Sequence, residues 1–274
     1  MQADLGHLPI RGDARVFDLE QPRTADMPVH VSHRPGYFYA LHARHEDAYR
    51  PDEGGPRSGA SGLIVCKEHS GTHIDALSHQ ADALMLYGGV PVAVAQTRAG
   101  FTRHGVEEIP PIVAPGVLLD VPASLGVDEL ELGRAVTAAE LQACCDRQGV
   151  AIEPGDVVLV RTGNGRYWSD PERYLGGPGM NADAALWLAE QQVLAVGADN
   201  MAWDVIGLAD PEYGELPGHL ILLARSGIYI IENLQLEELA AAGRYRFSFI
   251  CTPLKFVGAT GSPVRPIALV TPAP

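Results

Sequence analysis

Seven apolar runs of four to six residues punctuate this chain, at positions 16–19, 63–66, 117–121, 157–161, 193–198, 228–231 and 245–250. Runs of that length suit strands better than helices, and helical signals fill several of the gaps between them. Thr137-Ala138-Ala139-Glu140 is a capping box, whose hydroxyl and carboxylate satisfy the first free backbone amides, and its helix is expected to stop near Gly149. A second helix is expected over 181–192 with Asn181 as its N-cap, and a third over 219–224, ended by Gly227. Strands alternating with helices predict an α/β fold with mixed strands.

The 274 residues, 46% of them apolar, are enough to bury a large core. Lys and Arg together number 20 against 34 Asp and Glu, and the formal charge of −14 repels phosphates and anionic lipid. Neither nucleic acid nor a membrane is therefore an expected partner. No apolar run approaches the roughly 18 residues that a membrane span needs. The opening segment 1–7 lacks a basic region followed by an apolar one, so the cytoplasm is the expected location. Four cysteines, Cys66, Cys144, Cys145 and Cys251, are too few for a disulfide framework and are expected to be reduced and mostly buried, Cys66 within a buried strand over 63–66.

A loop rich in Gly, Pro and Ser over 50–62 leads through that run into His69-Ser70-Gly71-Thr72-His73-Ile74-Asp75-Ala76-Leu77-Ser78-His79. Three imidazoles and a carboxylate within eleven residues form a metal site in outline. Imidazole nitrogen and carboxylate oxygen suit zinc, manganese or iron, and a three-ligand set leaves positions open for water and substrate. Gly71 makes a turn possible there, and either a helix face or a tight loop would bring His69 and His73 together. Farther on, Glu232 ends the run 228–231, where a buried carboxylate needs a metal, a cation or solvent to offset its burial.

The pattern His-x-Gly-Thr-His-x-Asp-x-x-x-His resembles the signature of the metal-dependent cyclase family, which includes bacterial kynurenine formamidases and isatin hydrolases. The resemblance extends from Phe17-Asp18-Leu19 and Asp26-Met27-Pro28 to Pro253-Leu254-Lys255 and Gly261-Ser262-Pro263-Val264-Arg265, and it implies one domain over 1–274. The fold it implies is a swivelling β/β/α domain with a mixed, barrel-like sheet. By position, it makes His69, His73 and Asp75 metal ligands, His219 and Glu232 a second His/Glu pair on the metal, and His79 the residue that shuttles protons. One or two ions, Mn²⁺ or Zn²⁺, are implied.

A divalent ion lowers the pKa of bound water from about 15.7 toward ~7 and polarises the carbonyl under attack. The activity implied is therefore a metal-dependent amidohydrolase in which metal-bound hydroxide cleaves an aryl-linked amide. Leu77 stands where the commonest family pattern has proline, which resembles the isatin hydrolase side and favours opening of an isatin-type lactam. Arylformamidase action on N-formylkynurenine is the alternative within enzymes. A non-catalytic metal or small-molecule binding protein on the same scaffold is the alternative outside them. Phe38 and Trp203, aromatics in irregular segments, are candidate walls of a planar substrate slot. Family members commonly form dimers or tetramers, so a homodimer or homotetramer is expected.

Overall fold

A computed structural model describes residues 14–271, and the opening segment 1–7 discussed above lies outside the described residues. A curled, mixed sheet of nine strands forms the body of the molecule. In chain order the strands that matter are β1 (Arg15–Asp18), β2 (Tyr37–Ala43), β3 (Ser61–Cys66), β4 (His73–Asp75), β5 (Ile112–Asp120), β6 (Val157–Arg161), β7 (Ala195–Ala198), β8 (Tyr229–Glu232), β9 (Arg246–Cys251), β10 (Gly261–Pro263) and β11 (Ile267–Val270). The sheet runs β1-β11-β9-β5-β6-β7-β8-β4-β10. The middle strands β5, β6, β7 and β8 pair in parallel, and every pairing outside them is antiparallel.

Parallel strands buried on both faces need apolar side chains at every position, and β6 shows the consequence. Its Val158 and Val160 join the core beneath the helices, whereas Val157 and Leu159 join the core on the opposite face, as the two-residue period of a strand dictates. The helix-side core is closed by α1 (Ala138–Gln148) and α2 (Ala182–Glu190) through Leu141, Cys144, Ala184, Ala185 and Leu188. Both helices start on the expected caps: Thr137 Oγ1 accepts from the Glu140 N–H, and the Asn181 side chain accepts from the Ala184 N–H. Gly149, in left-handed conformation, ends α1.

Two expectations are corrected. The run 63–66 is not a buried strand: β3 is exposed along its whole length and pairs only with β2, in a two-stranded ribbon outside the main sheet. Cys66 is accordingly exposed, while Cys144, Cys145 and Cys251 are buried. The helix expected over 219–224 is instead one α-turn, Pro217–His219, continuing into a π-helical stretch, Leu220–Ser226, that Gly227 ends in left-handed conformation. None of the described helices is long and apolar enough to cross a membrane.

Candidate metal centre

His69 lies in the turn between β3 and β4, and the sharpest bend falls at Gly71, whose φ is +63°. A side chain there would also collide with Arg23, whose guanidinium donates to the carbonyls of Ser70 and Thr72 and clamps the turn from outside. The chain then enters β4, where residues two apart share a face. His73 and Asp75 therefore point together into the site, while Ile74 points into the opposite core with its cross-strand partner Ile231. The same register sets Glu232 directly opposite His73.

His219 approaches from the α-turn before the π-helical stretch. Its Nε2 lies 3.3 Å from Glu232 Oε1 and 3.6 Å from Asp75 Oδ2, while His73 Nε2 lies 3.3 Å from Glu232 Oε2 and 3.5 Å from Asp75 Oδ1. The second nitrogen of each ring is committed elsewhere. His73 Nδ1 donates to the Gly71 carbonyl over 2.8 Å, and His219 Nδ1 to the buried Asp204 carboxylate over 2.7 Å. With Nδ1 carrying the hydrogen, a neutral imidazole presents a bare Nε2, so two nitrogen lone pairs converge on two carboxylates.

That arrangement fits a cation. Asp75 Oδ2 is buried without any hydrogen-bond partner among the described residues, and a nitrogen and oxygen donor set of this kind suits a divalent transition ion. Donor atoms of His69, His73 and Asp75 lie within 4.8 Å of one another, as do those of Asp75, His79 and His219, so these residues could hold a metal. Without one, protons must compensate. Burial lowers the His73 imidazole, but hydrogen bonds and charge from Asp75 and Glu232 outweigh it and push it up to about 10. His219 is raised in the same way, against its burial, by Asp204 and Glu232. Burial would raise Glu232, yet His219 and His73 hold it down at about 2.

His79 stacks on His69 with ring centroids 3.9 Å apart, and its ring lies 5.9 Å from that of His219. Burial, reinforced by the neighbouring imidazoles, pushes it down to about 3, so it stands as a neutral ring on the wall of the cleft. The cleft has a cavity volume of about 120 Å³. His69, His73, His219 and Glu232 line it beside His79, and Pro28, Val29, Met201, Ala202, Ile206 and Leu216 supply apolar walls.

Phe38 and Trp203 do not line this cleft. Phe38 sits half-exposed on β2, carried away with the ribbon that β2 forms with β3. Trp203 is drawn fully into the helix-side core, its ring against Gly218, and meets the site only through its backbone N–H, which donates to Glu232 Oε1 over 2.9 Å. Two cleft residues carried no signal in the sequence. His33 lies with its ring 5.3 Å from that of His69, and Asn233, in left-handed conformation at φ +58°, donates from its side chain to the Gly71 carbonyl. The contact of Asp204 with His219 appears only in three dimensions.

A curled mixed sheet with a buried histidine and carboxylate cluster across its β4 and β8 strands defines the class: an α/β protein with a candidate metal centre. The chain belongs to the cyclase family, since residues 17–205, well over half its length, match the family described as "Putative cyclase". It is similar to the crystal structure of a novel cyclase, with a TM-score of 0.83 at 32% identity over 94% of this chain and 87% of that one. It is also similar to isatin hydrolase A of Ralstonia solanacearum, with a TM-score of 0.70 at 26% identity over 95% and 93% of the two chains. Isatin hydrolase of Roseibium aggregatum is 26% identical over 217 residues, 77% of this chain and 74% of that protein.

Proposed function

We propose that this protein is a metal-dependent amidohydrolase acting on an aryl-linked amide, with opening of an isatin-type lactam as its reaction. One observation carries the reading: two bare imidazole nitrogens and the partnerless Asp75 Oδ2 converge on a buried spot at the floor of an open cleft. His69, His73 and Asp75 would hold the ion, and His219 and Glu232 would add further donors. When bound, a divalent ion there supplies Lewis acidity, polarising a carbonyl and activating water.

The chain's own residues then do three things. Apolar walls exclude bulk water and receive a flat ring, which strengthens electrostatic interactions inside the cleft. Asp204 and the Gly71 carbonyl hold His219 and His73 in the orientation that faces the ion. His79, on the cleft wall and beside the candidate ligands, would take a proton from the attacking water and return it to the departing nitrogen.

The isatin hydrolase relatives, together with Leu77 in the motif, support the lactam as substrate. Arylformamidase activity is the second reading, favoured by the convergence of Glu232 and His219 on Asp75, which offers donors enough for two ions. Chelated protein, reconstituted with Mn²⁺ or Zn²⁺ and assayed on isatin and N-formylkynurenine, separates them. Ion-restored hydrolysis of isatin supports the first reading, the same result on N-formylkynurenine alone supports the second, and no turnover of either removes both substrates. The expected setting is the cytoplasm, in a homodimer or homotetramer.

A further inference from the structure

We propose that Glu68 and Thr260 are a positioning pair that fixes the tautomer of His69 and so aims its Nδ1 lone pair at the metal centre. The proposal rests on the reading of His69 as a ligand. Thr260, next to β10, stands 191 residues from His69 in sequence, and its Oγ1 lies 2.8 Å from His69 Nε2. Its own backbone N–H donates to Glu68 Oε2 over 3.0 Å, and its Oγ1 lies 2.6 Å from Glu68 Oε1.

The Glu68 end sets the donor order along this chain. A carboxylate only accepts, so the single hydroxyl hydrogen of Thr260 goes to Glu68. Thr260 Oγ1 is then an acceptor toward the ring, and His69 Nε2 must carry the hydrogen. A neutral His69 is left with a bare Nδ1, which faces Asp75 Oδ1 at 2.7 Å. Two acceptors that close repel each other unless a proton or a metal ion lies with them. Thr260 thus does for His69 what the Gly71 carbonyl does for His73 and Asp204 does for His219.

A second observation places the pair around the ring. Gly261, opposite Asp75 in the β10–β4 pairing, follows Thr260, and a Cβ on it would come within 2.7 Å of His69 Cε1 and 3.0 Å of the Ile74 carbonyl. The edge strand therefore delivers a hydroxyl to one ring nitrogen while leaving bare backbone where a side chain would displace the ring.

The test compares wild type with Thr260→Val, Thr260→Ser and Glu68→Ala, by competition of Mn²⁺ and Zn²⁺ against a chelator and by ¹⁵N NMR of the histidine rings in ion-free protein at pH 9, above the ordinary imidazole range. Thr260→Val is expected to weaken ion binding by about 10–100-fold, the usual effect of losing such an outer partner, and Thr260→Ser to restore it. Glu68→Ala frees the hydroxyl to donate to Nε2, so binding weakens there too. Nε2 of His69 is protonated in wild type and loses that hydrogen in Thr260→Val and Glu68→Ala. Unchanged affinity and an unchanged ring in both variants would overturn the pair's role. If wild type binds no ion at all, the metal reading fails, and the NMR arm still decides whether the pair sets the tautomer.

Discussion

Glu232 Oε2 stands 3.3 Å from His73 Nε2 because the two residues are direct partners across the antiparallel β8–β4 ladder. The contact is thus set by strand register, in which a slip of one residue in either strand would turn that strand's side chain away from its partner. The two sides of the site, 159 positions apart by the difference 232 − 73, are joined by backbone hydrogen bonds and not by loops. Binding geometry built this way is rigid, which suits a centre whose donors must keep their places when an ion leaves.

Asp204 accepts from His219 Nδ1 and from the backbone N–H groups of Gly218 and His219, so it both orients the ring and anchors the α-turn that carries it. Asp204→Ala is expected to weaken ion binding by about 10–100-fold, with hydrolysis falling alongside it. Chelator competition and steady-state kinetics on the same preparations check it.

His79 touches the other imidazoles only by ring packing, and the role proposed for it is proton transfer, so His79→Ala is expected to keep its ion and lose about 10²–10⁴-fold in kcat. Metal analysis of the variant beside its rate makes the distinction: an ion lost together with activity would make His79 a ligand.

The thiols offer an independent check on the fold. The thiolate is the reactive form, and burial pushes Cys144 up to about 12, Cys145 up to about 11 and Cys251 up to about 12. At pH 8 all three remain protonated, whereas Cys66 is exposed on β3. Titration with a chromogenic disulfide is expected to count one fast thiol in native protein and all four in denaturant.

Thr137 and Glu140 satisfy each other's backbone amides at the start of α1, with the Thr137 N–H donating to Glu140 Oε2 over 2.9 Å. Thr137→Ala is expected to cost about 1 kcal/mol of stability, read as a lower denaturant midpoint with an unchanged slope.

Local rules made part of this molecule legible. The capping box, the Asn181 cap and the strand 157–161 depend on neighbours in sequence, and each is found where those neighbours put it. The run 63–66 misled because an apolar strand reads alike in a buried sheet and in an exposed ribbon, and only its pairing with β2 decides between them. Within the site, the eleven-residue motif could be read directly because its spacing is local. Asp204, Glu68 with Thr260, and Asn233 could not, since their value comes from contacts with residues 15 to 192 positions away. Ring chemistry and irregular surroundings in sequence mark Trp203 and Phe38, but burial and topology take both rings out of the cleft.

The most direct measurement is the metal content of protein purified without added metal, set beside Asp75→Ala, His73→Ala and His69→Ala prepared in the same way. Asp75 lies at the centre, with one oxygen 2.7 Å from His69 Nδ1 and the other partnerless near His219. The account predicts a divalent ion in wild type and a marked loss in all three variants, with folding retained by circular dichroism. Equal metal content in wild type and all three variants would contradict it.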